Sequence, residues 1–300
     1  MNGKISNLAQ VAYVRKYTMD GGKENGTKII EVNNGNIRFL LNASKALDVT
    51  QLWHKGTNIS FLSKNGFTYR ETPFLNRFEG GMIYTCGLDS VGGRDGFELH
   101  GSIHNCPAEI VECKCDEDGI TVVGITYDTS LFGKNLALKR TVKTQILGDS
   151  ISIEDEIINN GTKDQEYAIL YHVNLGYPML DEGTVVKSDA VTVTPRNEYS
   201  KQRLSDREVF TSNVDNEEER CYFIKNKTPI ITVENKKLNK TFTLEYTDDT
   251  LPHFIQWCSS ASQDYALGVE ASSTLLDDGF KYSVVERNKS VKLGLKITIK

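Results

Sequence analysis

The sequence predicts an all-β fold, either a sandwich or a barrel. Segments with period-2 alternation recur along the chain, clusters of Gly, Asn and Asp separate them, and helical spacing is scarce. Runs of strands joined by such turns belong to sandwiches and barrels rather than to βαβ units. Taken in order, residues 6–15 are the first candidate for a helix. Ile37-Arg38-Phe39-Leu40-Leu41 follows the turn signal Asn33-Asn34-Gly35 and reads as a strand. Ile120-Thr121-Val122-Val123-Gly124-Ile125 follows Asp116-Glu117-Asp118-Gly119 in the same way, and residues 150–157 alternate almost without a fault up to Asn159-Asn160-Gly161. Val185-Val186-Lys187, Val191-Thr192-Val193 and Ile230-Ile231-Thr232-Val233 are shorter strands. The stretch 197–220 is polar and charged, as a surface excursion would be, and residues 217–220 could open a short helix. His253-Phe254-Ile255-Gln256-Trp257 and Val291-Lys292-Leu293-Gly294-Leu295-Lys296-Ile297 read as strands on either side of the turn Asp277-Asp278-Gly279.

No repeat and no Pro/Gly/Ser linker marks a boundary, so residues 1–300 are expected to form a single domain. Hydrophobic residues at 39% supply a sizeable core. The net charge of −5, with basic residues scattered, argues against nucleic acid and against a membrane-surface helix. The first twenty residues hold no apolar signal or membrane-length run, so a cytoplasmic protein is expected. The six Cys include no C-x-x-C pair, and reduced thiols are the expectation. Cys113 and Cys115 would share one face of a strand, but a structural zinc needs more ligands than these two. No metal and no cofactor are expected.

Three distant segments carry the candidate chemistry. They are Phe97-Glu98-Leu99-His100-Gly101, Leu170-Tyr171-His172-Val173-Asn174-Leu175 and Leu267-Gly268-Val269-Glu270-Ala271-Ser272, each setting a His or Glu in an apolar or aromatic run. A chain with five His that places two of them this way is assembling an acid–base site, because partial burial moves a pKa toward neutrality. A carboxylate such as Glu270 rarely enters a core unpaired, so it either caps a strand end in solvent or works in a site. His172 alone would fit a hydrogen-bonded core position equally well. The Gly beside His100 suggests a backbone that lets a ligand approach. Gly92-Gly93-Arg94-Asp95-Gly96 is not a phosphate-binding pattern and reads as a tight turn feeding a strand that carries His100. Cys106 lies near His104, but nothing evident orients such a pair as a nucleophile. His54 and His253 read as structural, with His253 able to reach the site rim.

These segments resemble aldose 1-epimerases of the galactose mutarotase type. Asn76-Arg77-Phe78, Leu99-His100-Gly101, Tyr171-His172-Val173-Asn174-Leu175 and Gly268-Val269-Glu270 occur in the order found there. Gly80-Gly81-Met82-Ile83-Tyr84-Thr85-Cys86-Gly87-Leu88, Asn105-Cys106-Pro107-Ala108 and the run from His172 to Gly183 are similar to a branch of that superfamily known only as domains of unknown function, of the DUF4432 type. The resemblance implies a large two-sheet antiparallel β-sandwich with a sugar site in a concave face. It implies His172 as acid, Glu270 as base, and His100 with Arg77 as sugar holders; His104 and Asn174 join them as expected substrate contacts. The chain departs from the pattern in lacking a clear counterpart of the Asp that binds sugar hydroxyls, and in continuing Leu-His-Gly into Ser102-Ile103-His104-Asn105.

Anomer exchange requires opening a hemiacetal: a base takes the C1 hydroxyl proton while an acid protonates the ring oxygen, and the roles reverse on closure. A Glu near 4.3 and a His near 6.5 suit these tasks if a neighbouring carboxylate raises the His. The expected ligand is a small-molecule sugar, and a homodimer is compatible with the sequence. Two other readings compete. A non-catalytic sugar-binding sandwich would use aromatic platforms, for which Trp53, Trp257, Tyr171 and Tyr177 are candidates against ordinary core packing. A sugar-phosphate epimerase would need converging cations, for which Arg77, Arg94 and Arg196 stand out. Asp181 and Glu182 either touch ligand or shape a turn.

Overall fold

The structure, a computed structural model, describes residues 3–300. Its strands form three antiparallel sheets. Tyr13–Thr18, Lys28–Asn33, Ile37–Asn42, Asp48–His54 and Thr57–Asn58 make a five-stranded sheet in chain order. An eight-stranded sheet runs Val185–Lys187, Ile230–Asn235, Lys240–Tyr246, Ser290–Ile299, Ser150–Asn159, Asn135–Thr144, Gly119–Thr129, Ala108–Asp116. The seven-stranded sheet runs Ala190–Pro195, Arg220–Asn226, His253–Ala261, Asp264–Ser272, Gln165–Leu175. At its far edge Ser283–Val285 pairs with the first residues of Gln165–Leu175, and Ile83–Leu88 pairs with residues 168–173.

The alternation seen in the sequence sorts side chains between layers. Ile151, Ile153 and Ile157 of the eight-stranded sheet share one core with Ile169, Tyr171 and Val173 of the seven-stranded sheet and with Phe39 and Leu41 of the five-stranded sheet. This is the sandwich layer expected from two facing sheets, and the third sheet contributes side chains to the same core. The opposite face of the seven-stranded sheet is also covered. There Tyr84, Leu170, Cys221 and Ile255 form a second apolar cluster against Phe74, Phe78 and Phe223. Burial on both faces explains why Gln165–Leu175 reads as a nearly continuous apolar run.

Several expected elements differ. Residues 6–15 hold only a 3-10 turn, Leu8–Gln10, capped by Asn7, before the strand Tyr13–Thr18. That strand gains a full antiparallel partner in Lys28–Asn33, which outweighs a weak helical propensity. Residues 217–219 are not helical; they lead into the strand Arg220–Asn226, whose first side chain is fully buried. The stretch 197–220 is more than a surface excursion, since it contains the helix Glu198–Gln202 and buries Arg207 and Phe210. No strand carries His100, which lies in the loop after Ile83–Leu88. Cys113 and Cys115 pack against the main core as small apolar side chains. Among the described residues, no helix is long and apolar enough to cross a membrane.

Candidate active site

The second face of the seven-stranded sheet builds the site. Antiparallel register sets His172 directly opposite Glu270, with Tyr84 and Ile255 as their outer neighbours in the same row. Side chains paired across strands point to one face, so the pairing itself brings imidazole and carboxylate together. His172 Nε2 lies 3.2 Å from Glu270 Oε1. Oε1 is nevertheless buried without a hydrogen-bond partner in the protein, as is His172 Nδ1. Gly268 makes the approach possible: a Cβ there would stand 2.3 Å from Glu270 Oε1 and 3.2 Å from His172 Cε1. Any side chain at position 268 would displace the pair.

A cavity of about 520 Å³ opens over these two residues. Phe74, Phe78, Leu99, Trp257 and Leu276 form much of its wall, with His100, Arg196 and Glu219 among the polar lining. The His172 ring is flanked by Phe78, Trp257 and His100, at centroid distances of 5.5, 5.4 and 5.8 Å. An apolar pocket with few convergent polar groups is the usual form of a small-molecule site. His100 reaches it from a loop rather than a strand, with a left-handed backbone at φ 65° held by a bond from its N–H to Gly92 O at 3.1 Å. Gly101 beside it has a different role from the one its sequence suggests. It packs against Gly87 O and Ser90 O, each 2.5 Å from a notional Cβ, so it serves loop packing and not ligand approach.

Burial reverses the expected electrostatics. Desolvation pushes His172 down to about 3, with His100 adding to the effect. His100 keeps an open edge on the pocket, yet its Nδ1 is sealed, and burial followed by the charge of Arg196 lowers it to about 4. Glu270 is raised well above the usual carboxylate range, chiefly by burial and then by Glu219. The neighbouring carboxylate therefore does not raise His172, because the low-dielectric setting favours a neutral imidazole beside a protonated acid. The two shifts oppose the charged form of each member, so burial disfavours an ion pair between them.

This has a consequence for stability. Between the unfolded carboxylate value of about 4.3 and the raised native value, the native state keeps a proton that the unfolded chain releases, so stability falls as pH rises. Gln cannot titrate. Glu270→Gln should therefore melt higher than the unmodified protein at pH 8, the gap closing toward pH 4, in parallel thermal melts. The depressed His172 and His100 act in the other direction, losing stability as pH falls below about 6.5, and both proteins share that term.

The other expected contacts lie behind the wall. Arg77 is buried with its guanidinium on Glu98 and on Thr72 O, joining the short helix Phe74–Arg77 to the His100 loop. His104 bonds Asp48 Oδ2 through Nδ1 at 2.7 Å and stacks on Tyr84 at 3.6 Å. Asn174 donates to Gly81 O at 3.1 Å and His172 O at 2.8 Å, pinning the Gly80-Gly81 turn to the strand. Arg94 lies over the Phe280 ring, and Arg196 clasps Asp277. Asp181 pairs with Lys237 and belongs, with Glu182 and Tyr177, to a separate surface depression. His54 is structural, bonded to Asp149 and Lys240. Of the aromatic candidates only Trp257 lines the cavity; Tyr171 points into the main core. Glu219 was not legible, because it sits in a polar run and reaches the site through the Trp257 Nε1–H bond to its Oε2, 2.7 Å long.

The large antiparallel sandwich has the fold of galactose mutarotase-like proteins. Residues 24–287 match the DUF4432 family, described as a domain of unknown function, and the chain belongs to it. The structure is similar to a Klebsiella pneumoniae protein whose name gives aldose 1-epimerase as a provisional assignment, with TM-score 0.87 and 19% identity over 95% of this chain and 83% of the other. It is also similar to galactose mutarotase-like proteins from Clostridium acetobutylicum (TM-score 0.71, 13% identity, 97% and 99% covered) and Lactobacillus casei (TM-score 0.64, 14% identity, 91% and 100% covered). No protein with a curated description matches the sequence.

Proposed function

We propose that this protein is a sugar 1-epimerase, interconverting the α and β anomers of a free aldose by acid–base ring opening. The observation that carries the reading is the contact of 3.2 Å between His172 Nε2 and Glu270 Oε1 at the base of a sugar-sized cavity. An acid and a base that reach the same sugar are what the reaction needs. One member gives the proton to the ring oxygen while the other takes the C1 hydroxyl proton. Rotation about C1–C2 and reclosure with exchanged roles return the pair to its starting state. The resemblance gives His172 the acid role; the directions in which burial moves the two groups favour Glu270 as acid and His172 as base, and the reaction balances either way. His100, facing His172, holds a neighbouring hydroxyl. Arg77, Asn174 and His104 support the loops and strands that carry these groups. Names of the structural neighbours point to the same activity.

NMR exchange between α and β anomers over a panel of free hexoses and pentoses tests this. The protein should accelerate exchange for at least one sugar, and kcat/KM should show no limb at the ordinary His value of about 6.5, because burial has moved both site histidines well below it. A protein that binds a sugar yet never accelerates exchange would be a binding module instead.

A further inference from the structure

Only one of the two ring nitrogens of His172 faces Glu270. Nε2 lies 3.2 Å from Glu270 Oε1. Nδ1 is buried with no hydrogen-bond partner, so the group beside it decides which nitrogen carries the proton of the neutral ring. The strand pairing supplies that group. Asn174 stands two residues beyond His172 on the same face of Gln165–Leu175, and its cross-strand partner is Gly268. Gly268 presents no side chain, and the His172 ring leans over it. Cε1, the atom between the two nitrogens, lies 3.2 Å from where a Cβ of residue 268 would stand. With Nε2 at the Glu270 end of that ring edge, Nδ1 is the nitrogen left toward Asn174.

The Asn174 amide has one orientation open to it. Nδ2 donates to Gly81 O at 3.1 Å and to His172 O at 2.8 Å. Turning the amide over would set Oδ1 against those two carbonyl oxygens, so Oδ1 is fixed on the other side. Oδ1 is itself buried without a partner. The Asn174 side chain also favours protonation of His172 against the pull of burial, which an acceptor oxygen beside the ring does and an amide N–H would not.

From this geometry we infer that Asn174 is a positioning residue for the proton exchange: its Oδ1 holds the proton of the neutral His172 ring on Nδ1 and leaves Nε2 bare toward Glu270. The opposite tautomer would set a bare Nδ1 against Oδ1, two acceptors facing each other. Nε2 is then ready to take the C1 hydroxyl proton while Glu270 gives its own to the ring oxygen, and Nδ1–H keeps its acceptor throughout. The tautomer is independent of any substrate, whereas its effect on rate rests on the 1-epimerase reading above.

Nitrogen NMR of the histidine rings in the whole protein tests the tautomer, with the His172 signals identified by their loss in His172→Asn. At pH 7 His172 should show a protonated Nδ1 and a bare Nε2. Asn174→Ala removes the acceptor and should mix or reverse the tautomer. It should also lower kcat for anomer exchange by about 10- to 100-fold with KM changed much less. That is below the ~10⁴-fold lost when the carboxylate behind a triad histidine is replaced, because an amide carries no charge. Asn174→Asp keeps an acceptor at the same place and should restore the protonated Nδ1 and part of kcat. A proton on Nε2 and a bare Nδ1 in the unmodified protein would overturn the inference, whether or not the Asn174 variants fold. A folded Asn174→Ala whose His172 keeps the Nδ1–H tautomer would overturn it as well, and a lost tautomer with unchanged kcat would overturn the part of Asn174 in the reaction. The Nδ1–H tautomer in a protein that exchanges no sugar would uphold the assignment and overturn the epimerase reading together with the rate effect.

Discussion

Glu270→Gln and His172→Asn should each lower kcat for anomer exchange by at least ~10²-fold, the range a positioned acid or base supplies. Both substitutions keep side-chain volume close to the original and remove only the proton-carrying function. Sugar affinity should change much less, because an interaction made mainly in the transition state appears in kcat rather than KM. His100→Ala should differ, raising KM with a smaller fall in kcat, since the ring is placed to hold a hydroxyl beside the reacting carbon. Single-turnover or equilibrium exchange spectroscopy on the three variants separates these outcomes. Unchanged kcat in Glu270→Gln would mean that the carboxylate is not one of the two proton carriers. Coupled with the expected rise in melting temperature of the same variant at pH 8, the result would show that the buried carboxylate is retained for chemistry at the expense of stability. That trade is common at working sites.

How far the site was legible in the sequence follows from what each residue's neighbours reveal. His172 and Glu270 sit inside strands whose alternation is strong, and a polar group in such a strand is conspicuous; their register pairing then follows from the antiparallel sheet. The strand segments as a class were legible for the same reason, among them Ser150–Asn159 and Ser290–Ile299. His100 was visible as a residue but not as a loop residue, because the flanking Phe97 and Leu99 mimic a strand while the chain actually folds back through Gly92. Arg77 and His104 were misplaced for another reason. Both are near the cavity, but side-chain partners decide which way they point, and those partners, Glu98 and Asp48, lie 21 and 56 residues away. Cavity walls from Phe74, Phe78 and Glu219 carry no local signal, since nothing in a single aromatic or a surface Glu reports what it will meet after folding.

The network behind His172 supports the second large prediction. Arg140 is buried and bonds Asp155 through Nε at 2.9 Å and Nη2 at 2.6 Å, and Asp48 through Nη1. Asp48 also accepts from Thr85 N at 2.8 Å and lies 2.7 Å from His104 Nδ1. Tyr171, one residue before the site His172, donates its hydroxyl to Asp155 Oδ2 at 2.7 Å from the core side of the same strand. Asp48 belongs to the five-stranded sheet, Arg140 and Asp155 to the eight-stranded sheet, and Thr85 and Tyr171 to the seven-stranded sheet, so one guanidinium links all three. Burial alone would raise Asp48, but Arg140 and the bonds from His104 and Thr85 hold it below its ordinary value, and it stays charged. Arg140→Met removes the cation and leaves two buried carboxylates without a countercharge from it, Asp48 keeping its bonds from Thr85 and His104 and Asp155 that from Tyr171. Breaking a buried pair in this way typically costs about 3–5 kcal/mol, a large share of the roughly 5–15 kcal/mol by which a domain is stable. Urea unfolding of Arg140→Met should show a loss of that size, or the variant should fail to fold. Adding Asp155→Asn should recover part of the loss, because it removes one of the stranded charges while leaving an acceptor for Tyr171. A loss below about 1 kcal/mol in the single variant, within the range of an exposed ion pair, would show that the three sheets hold together by apolar packing alone and that the network only fills the space behind the site.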